Sequence, residues 1–126
     1  MTDNINPSHY KDGPFECIEL SRLLSSDWGQ AVQYCFRWQH KNGVEDLKKA
    51  LWFINDALDH NVPFLAAHCG QNADIIEARP IRLLGILEAE NWADLEPFWN
   101  EIKWGCYKKA VKVLTEKINE IEKDGE

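Results

Sequence analysis

Leu47, Ala50, Leu51, Ile54 and Leu58 recur at i, i+3, i+4, i+7 and i+11. That spacing is the apolar stripe of an amphipathic helix, and it constrains this chain more than any other feature. The same period runs through most of the sequence. Cys17, Ile18, Leu20, Leu23 and Leu24 predict a short first helix. "SSD" at 25–27 reads as a stop followed by a new N-cap. Ala31, Tyr34, Cys35 and Trp38 carry a second helix from Trp28 to Lys41, and "KNG" at 41–43 closes it with Gly43 suited to a left-handed cap. A third helix starts near Val44, with Glu45 and Asp46 at the positive end of its dipole. "NVPFLAAHCGQN" predicts one short helix ended by Gly70, and Pro80 opens another over 80–90. Trp99, Ile102, Cys106, Ala110, Val113, Leu114, Ile118 and Ile121 share one face, and "EIKWGCYKKAVKVL" keeps its period across Gly105. A last continuous helix over 92–122 is therefore expected. No stretch alternates with the period of two that marks a half-buried strand. The expected fold is all-α, a single small helical domain over 1–126, with a central antiparallel hairpin of the second and third helices and a long C-terminal helix.

Composition narrows the partners. With 126 residues, 44% hydrophobic, the chain is long enough for a real core. The formal net charge of -7 excludes a general nucleic-acid coat, because long DNA or RNA needs clustered positive charge. A small phosphate ligand needs only a few local cations. The cysteines at 17, 35, 69 and 106 have no CxxC spacing, and the four histidines add no zinc-ligand spacing beyond "HC" at 68–69. Reduced thiols, a cytoplasmic location, no metal centre and no membrane partner are the expectations. A continuous helix of roughly 30 residues would span about 45 Å and overhang a small domain. Its face from Val113 through Ile118 to Ile121 then predicts a homo-oligomer.

The polar positions suggest an anion site. Gln30, Gln33, Arg37 and Lys41 are spaced 3, 4 and 4 and share one stripe of the second helix. His40, Lys41, Lys48 and Lys49 cluster around the following turn. The opening loop "NPSHYK" adds His9, Tyr10 and Lys11. Arg offers a planar fork to phosphate and Lys a mobile point charge, while Tyr10, Tyr34 and the tryptophans offer rings to a base. A solvated helix face has the same stripe, so spacing leaves both readings open.

Four blocks favour the anion site through a resemblance. "NPSHYK", "ECIEL", "GQAVQYCFRWQHK" and "EDLKKALWFI" resemble a small phage-encoded family, long catalogued as a domain of unknown function and carried by a nucleotide kinase of T-odd coliphages. The family pattern runs Pro-Ser-His-Tyr, then Glu and Ile, then Gly-Asn-x-x-Lys-Tyr-x-x-Arg-x-Gly-x-Lys, then Asp-Leu-x-Lys-Ala-x-x-Tyr. Pro7, Ser8, His9 and Tyr10 match the first block, Glu16 and Ile18 the second. Gly29, Tyr34, Arg37 and Lys41 match the third, and Asp46, Leu47, Lys49 and Ala50 the fourth. The resemblance covers about residues 6–60; residues 61–126 are a helical extension. Gln30 stands where the family has Asn, Gln33 replaces a Lys, Gln39 a Gly and Phe53 a Tyr.

The resemblance implies a deoxynucleoside monophosphate kinase, with a nucleoside triphosphate as phosphoryl donor. His9 and Arg37 would be its catalytic residues. Tyr10, Lys11, Gln30, Gln33, Tyr34, Lys41, Asp46 and Lys49 would bind the substrate. The chain has no GxxxxGK[ST] pattern, so this kinase would work without a P-loop. Losing the cation at Gln33 should reduce catalysis more than binding. The alternatives are a non-catalytic binder that sequesters a nucleotide or nucleotide signal, and a ligand-free helical interaction module. A helical pyrophosphohydrolase would need magnesium held by carboxylates such as Glu16, Glu19, Glu45, Asp46 and Asp56, which lack a tandem motif spacing. Base preference and metal need stay open.

Overall fold

The computed structural model describes residues 13–66 and 78–124. These fold as an all-α protein. Its helices are α1 (Cys17–Ser21), α2 (Ser26–Arg37), α3 (Val44–Asp59), α4 (Ala78–Ala89), α5 (Glu96–Lys103) and α6 (Tyr107–Asp124). Single 3-10 turns follow α2 at Trp38–His40 and precede α5 at Trp92–Asp94.

In α1, the Glu16 N–H donates to the Glu19 carboxylate at 3.0 Å, which closes the first turn. Ser25 stands at the N-cap position of α2 without a side-chain cap bond, and the helix carries Asp27 in its first turn and Arg37 in its last, as the helix dipole favours. Trp28, Ala31, Val32, Cys35 and Phe36 form its buried face. Gly29 lets α2 approach α1 closely, because a Cβ there would lie 3.0 Å from the Ser21 carbonyl oxygen. Gly43 has φ +62° and donates its N–H to the Trp38 carbonyl at 2.9 Å, so the chain reverses before α3. Leu47, Ala50, Ile54 and Ala57 are the deeply buried positions of α3. Leu51 and Leu58 are half-buried, so the stripe is turned slightly from the expected centre.

α2 packs mainly on α3, α3 on α6, and α6 on α5, which in turn meets α4. One hydrophobic cluster therefore takes side chains from both halves, with Trp28, Trp99, Phe98 and Leu114 among the most buried.

Two expected elements differ. Val62–Ala66 runs extended, where a short helix was expected. Asn61 ends α3 in the left-handed region (φ 55°), with the Val62 N–H on the Ala57 carbonyl at 2.8 Å. Pro63 disfavours helical geometry just before it. The Ser25 N–H donates to the Phe64 carbonyl at 2.9 Å and the Ala66 N–H to that of Leu23 at 3.0 Å, a short antiparallel bridge. The rest of the expected helix lies outside the described residues.

The helix expected over 92–122 is also broken. α5 ends at Lys103, Gly105 takes φ +76°, and the Cys106 N–H reaches the Glu101 carbonyl at 2.8 Å. This is a glycine-terminated C-cap, and it lets α6 turn onto the core. Upstream, Asn91, Ala93 and Asp94 all have positive φ. Indole donors from other segments hold that turn. Trp38 Nε1 donates to the Ala93 carbonyl at 2.8 Å, Trp92 Nε1 to that of Phe36 at 3.0 Å, and Trp99 Nε1 to that of Trp92 at 2.8 Å. With the break, α6 has 18 residues and no overhang. Leu114 and Ile118 are buried, and Val113 and Ile121 pack against the core, which removes the argument for a homo-oligomer.

Candidate functional site

Tyr34 and Arg37 lie three residues apart on α2, so they share a face. Lys49 and Phe53 lie four apart on α3 and share another. Packing of α2 on α3 joins the two pairs. The Tyr34 and Phe53 rings stack with centroids 6.0 Å apart at 16°. The Arg37 guanidinium carbon sits 4.9 Å from the Tyr34 centroid, and Lys49 Nζ sits 5.6 Å from it. Two cations therefore converge on one aromatic ring, which attracts both. Trp52 extends the row, edge-on to Phe53 at 5.1 Å and 88°.

Arg37 anchors the electrostatics. Its Nε is buried and has no hydrogen-bond partner. Its charge also acts on Cys17: burial pushes that thiol up to about 12, and Arg37 partly offsets the rise. Burial likewise pushes the Cys35 thiol well up, with smaller contributions from Cys17 and Asp46. Both thiols are held protonated and unreactive.

Of the residues singled out in the sequence, Tyr34, Arg37 and Lys49 come together. Gln30 is exposed one turn before Tyr34 on α2. Gln33 faces α1 instead, its amide donating to the buried Ser21 hydroxyl at 3.1 Å. Asp46 is 0% exposed, and its carboxylate accepts from the Asn42 N–H at 3.3 Å and the Asn42 amide at 3.5 Å. It ties the turn to the start of α3. Tyr34 is half-buried, with Phe53 and the two cations against its ring. Lys41 is exposed in the turn before α3. His9, Tyr10 and Lys11 lie outside the described residues. In the sequence Trp52 is offered only among the tryptophans as a group, and Phe53 only as a departure from the resembled family. Their signal was present in the i, i+3 and i+4 spacing of Lys49, Trp52 and Phe53.

A second polar cluster sits where the start of α2 meets the end of α3. Desolvation raises the Asp27 carboxyl, as do a hydrogen bond and charge repulsion from Asp56. The His60 ring lies 2.9 Å from the Asp56 carbonyl oxygen and 3.3 Å from its carboxylate, and both raise its pKa. Among the described residues no group of three or more His, Cys, Asp or Glu side chains is placed to hold a metal, and no helix is long and apolar enough to cross a membrane.

The cation–aromatic cluster falls inside the segment that a family model matches. No curated protein and no solved structure matches the chain. Residues 5–55 match the model of a family described as a protein of unknown function, DUF3310, and these residues include Tyr34, Arg37, Lys49, Trp52 and Phe53.

Proposed function

We propose that this chain is a phage-type nucleotide-binding protein of the host cytoplasm. Its role would be kinase-like, acting on deoxynucleoside monophosphates without a P-loop. One observation carries the reading. The Arg37 guanidinium is braced on Tyr34 while Lys49 approaches the same ring. Two cations held at one ring suit a phosphate, whose oxygens accept charge-assisted hydrogen bonds. Arg37 then supplies the planar fork and Lys49 the mobile charge, a division of labour suited to a phosphomonoester. As a kinase the protein would transfer the terminal phosphoryl group of a nucleoside triphosphate to the monophosphate, giving two diphosphates. The chain's own contribution would be positioning and charge stabilisation.

A second reading is supported by Gln33. This residue stands where the resembled family has a Lys, and its amide holds Ser21, so it brings no charge to the site. A site lacking that cation suits a binder that sequesters its nucleotide without turnover.

A thermal-shift panel of the four deoxynucleoside monophosphates tests binding, and a multiple-turnover assay with a nucleoside triphosphate separates the two readings. A raised Tm with product accumulation supports the kinase, and a raised Tm without product supports the binder. No shift with any nucleotide contradicts both.

A further inference from the structure

We infer that Trp52 is the base-stacking platform of this site, an inference that rests on the nucleotide reading above. Trp52 is 62% exposed, among the largest apolar surfaces the described residues present to solvent. An isolated exposed apolar residue needs no explanation, but this one is placed. It follows Lys49 by three residues on α3, so the two side chains are neighbours on the helix surface. Its edge-on contact with Phe53 fixes the indole against the Phe53–Tyr34 stack that carries Arg37, while leaving most of it open. Tyr34 is half-buried and already stacked by Phe53, so Trp52 is the more open ring.

Trp104, comparably exposed, differs. Its indole N–H donates to the Asn100 side chain at 3.1 Å and Lys103 lies 5.0 Å from its ring, so its own helix engages it. Trp52 instead lies one helical turn from Lys49 on α3. A ligand with a phosphate on Arg37 and Lys49 and a flat aromatic group on Trp52 is a nucleoside monophosphate rather than a sugar phosphate or inorganic phosphate. Stacking on an indole face is tolerant of base identity, so this arrangement predicts weak discrimination among bases.

The test uses the full chain, the four deoxynucleoside monophosphates, and the variants Trp52→Ala and Trp52→Phe. Calorimetry should show Trp52→Ala weakening binding about 5- to 150-fold, the usual range for losing one stacked base. Trp52→Phe should stay within about threefold, because a ring remains. A saturating nucleotide should quench the tryptophan fluorescence of the native chain, and Trp52→Phe should abolish that quenching while still binding. Unchanged affinity in Trp52→Ala, or quenching that persists in Trp52→Phe, overturns the platform and leaves the nucleotide reading standing. No binding of any nucleotide by the native chain overturns both. If light scattering instead shows that Trp52→Ala splits an oligomer without altering affinity, Trp52 is a subunit contact and the platform is rejected.

Discussion

At the scale of single residues, the same side-chain types serve structure and site, and geometry separates them. Gly29 matches a block of the resembled family, yet its role here is a close approach: a Cβ would press on a backbone oxygen 3.0 Å away. Gly29→Ala should therefore destabilise the protein by about 1–3 kcal/mol, the usual cost of forcing atoms into a packed contact, read as a lower denaturant midpoint. His60 makes a pH-dependent contribution. The Asp56 carbonyl and carboxylate raise its folded pKa, and Asp59 and Asp27 add to the rise. A raised histidine stabilises the fold fully below its unfolded value of about 6.5, and the stabilisation fades as pH climbs through the folded value. The native chain should melt above His60→Gln in mildly acidic buffer, with the gap closing by mildly alkaline pH. A gap that widens with pH would show that the His60–Asp56 contact does not stabilise the fold.

At the scale of elements, long-range hydrogen bonds set the boundaries. Trp38→Phe removes the indole donor to the Ala93 carbonyl and should cost about 0.5–1.5 kcal/mol. Amide exchange should speed up selectively at 91–95, where three non-glycine residues already hold positive φ. Gly105→Ala should cost roughly 1–2 kcal/mol, because its φ of +76° disfavours a Cβ, with helix content nearly unchanged. These elements explain what the sequence could reveal. The α3 stripe was legible because its period, N-terminal acids and flanking Gly43 agree, and α2 was legible for the same reasons. The break at Gly105 was hidden because α5 and α6 happen to keep helical phase across it. The turn at 91–94 was hidden because its restraint comes from Trp38, more than 50 residues earlier. In the site, Tyr34 and Arg37 were legible from spacing on α2. Asp46 was expected among the binding residues, and its carboxylate accepts hydrogen bonds from Asn42 in the turn before α3.

At the scale of the whole molecule, the matched segment does not stand apart from the rest. α3, which carries Lys49, Trp52 and Phe53, packs on α6, and Lys48 pairs with Glu122 at 2.6 Å across that contact. The C-terminal half therefore buttresses the helix that presents Lys49. Leu114 is fully buried on α6, and Leu114→Ala should cost about 2–5 kcal/mol in a single cooperative unfolding transition. The central claim is that Arg37 and Lys49, joined over Tyr34, hold a nucleotide phosphate. Isothermal titration of the native chain, Arg37→Ala and Lys49→Ala with deoxynucleoside monophosphates tests it most directly. The account predicts measurable binding by the native chain and a loss of roughly 1.5–3 kcal/mol in each variant, the scale of a hydrogen bond to a charged group. Tm should barely move, because each cation–ring contact is worth only about 0.5–1 kcal/mol near a surface. Unchanged affinity in both correctly folded variants would contradict it.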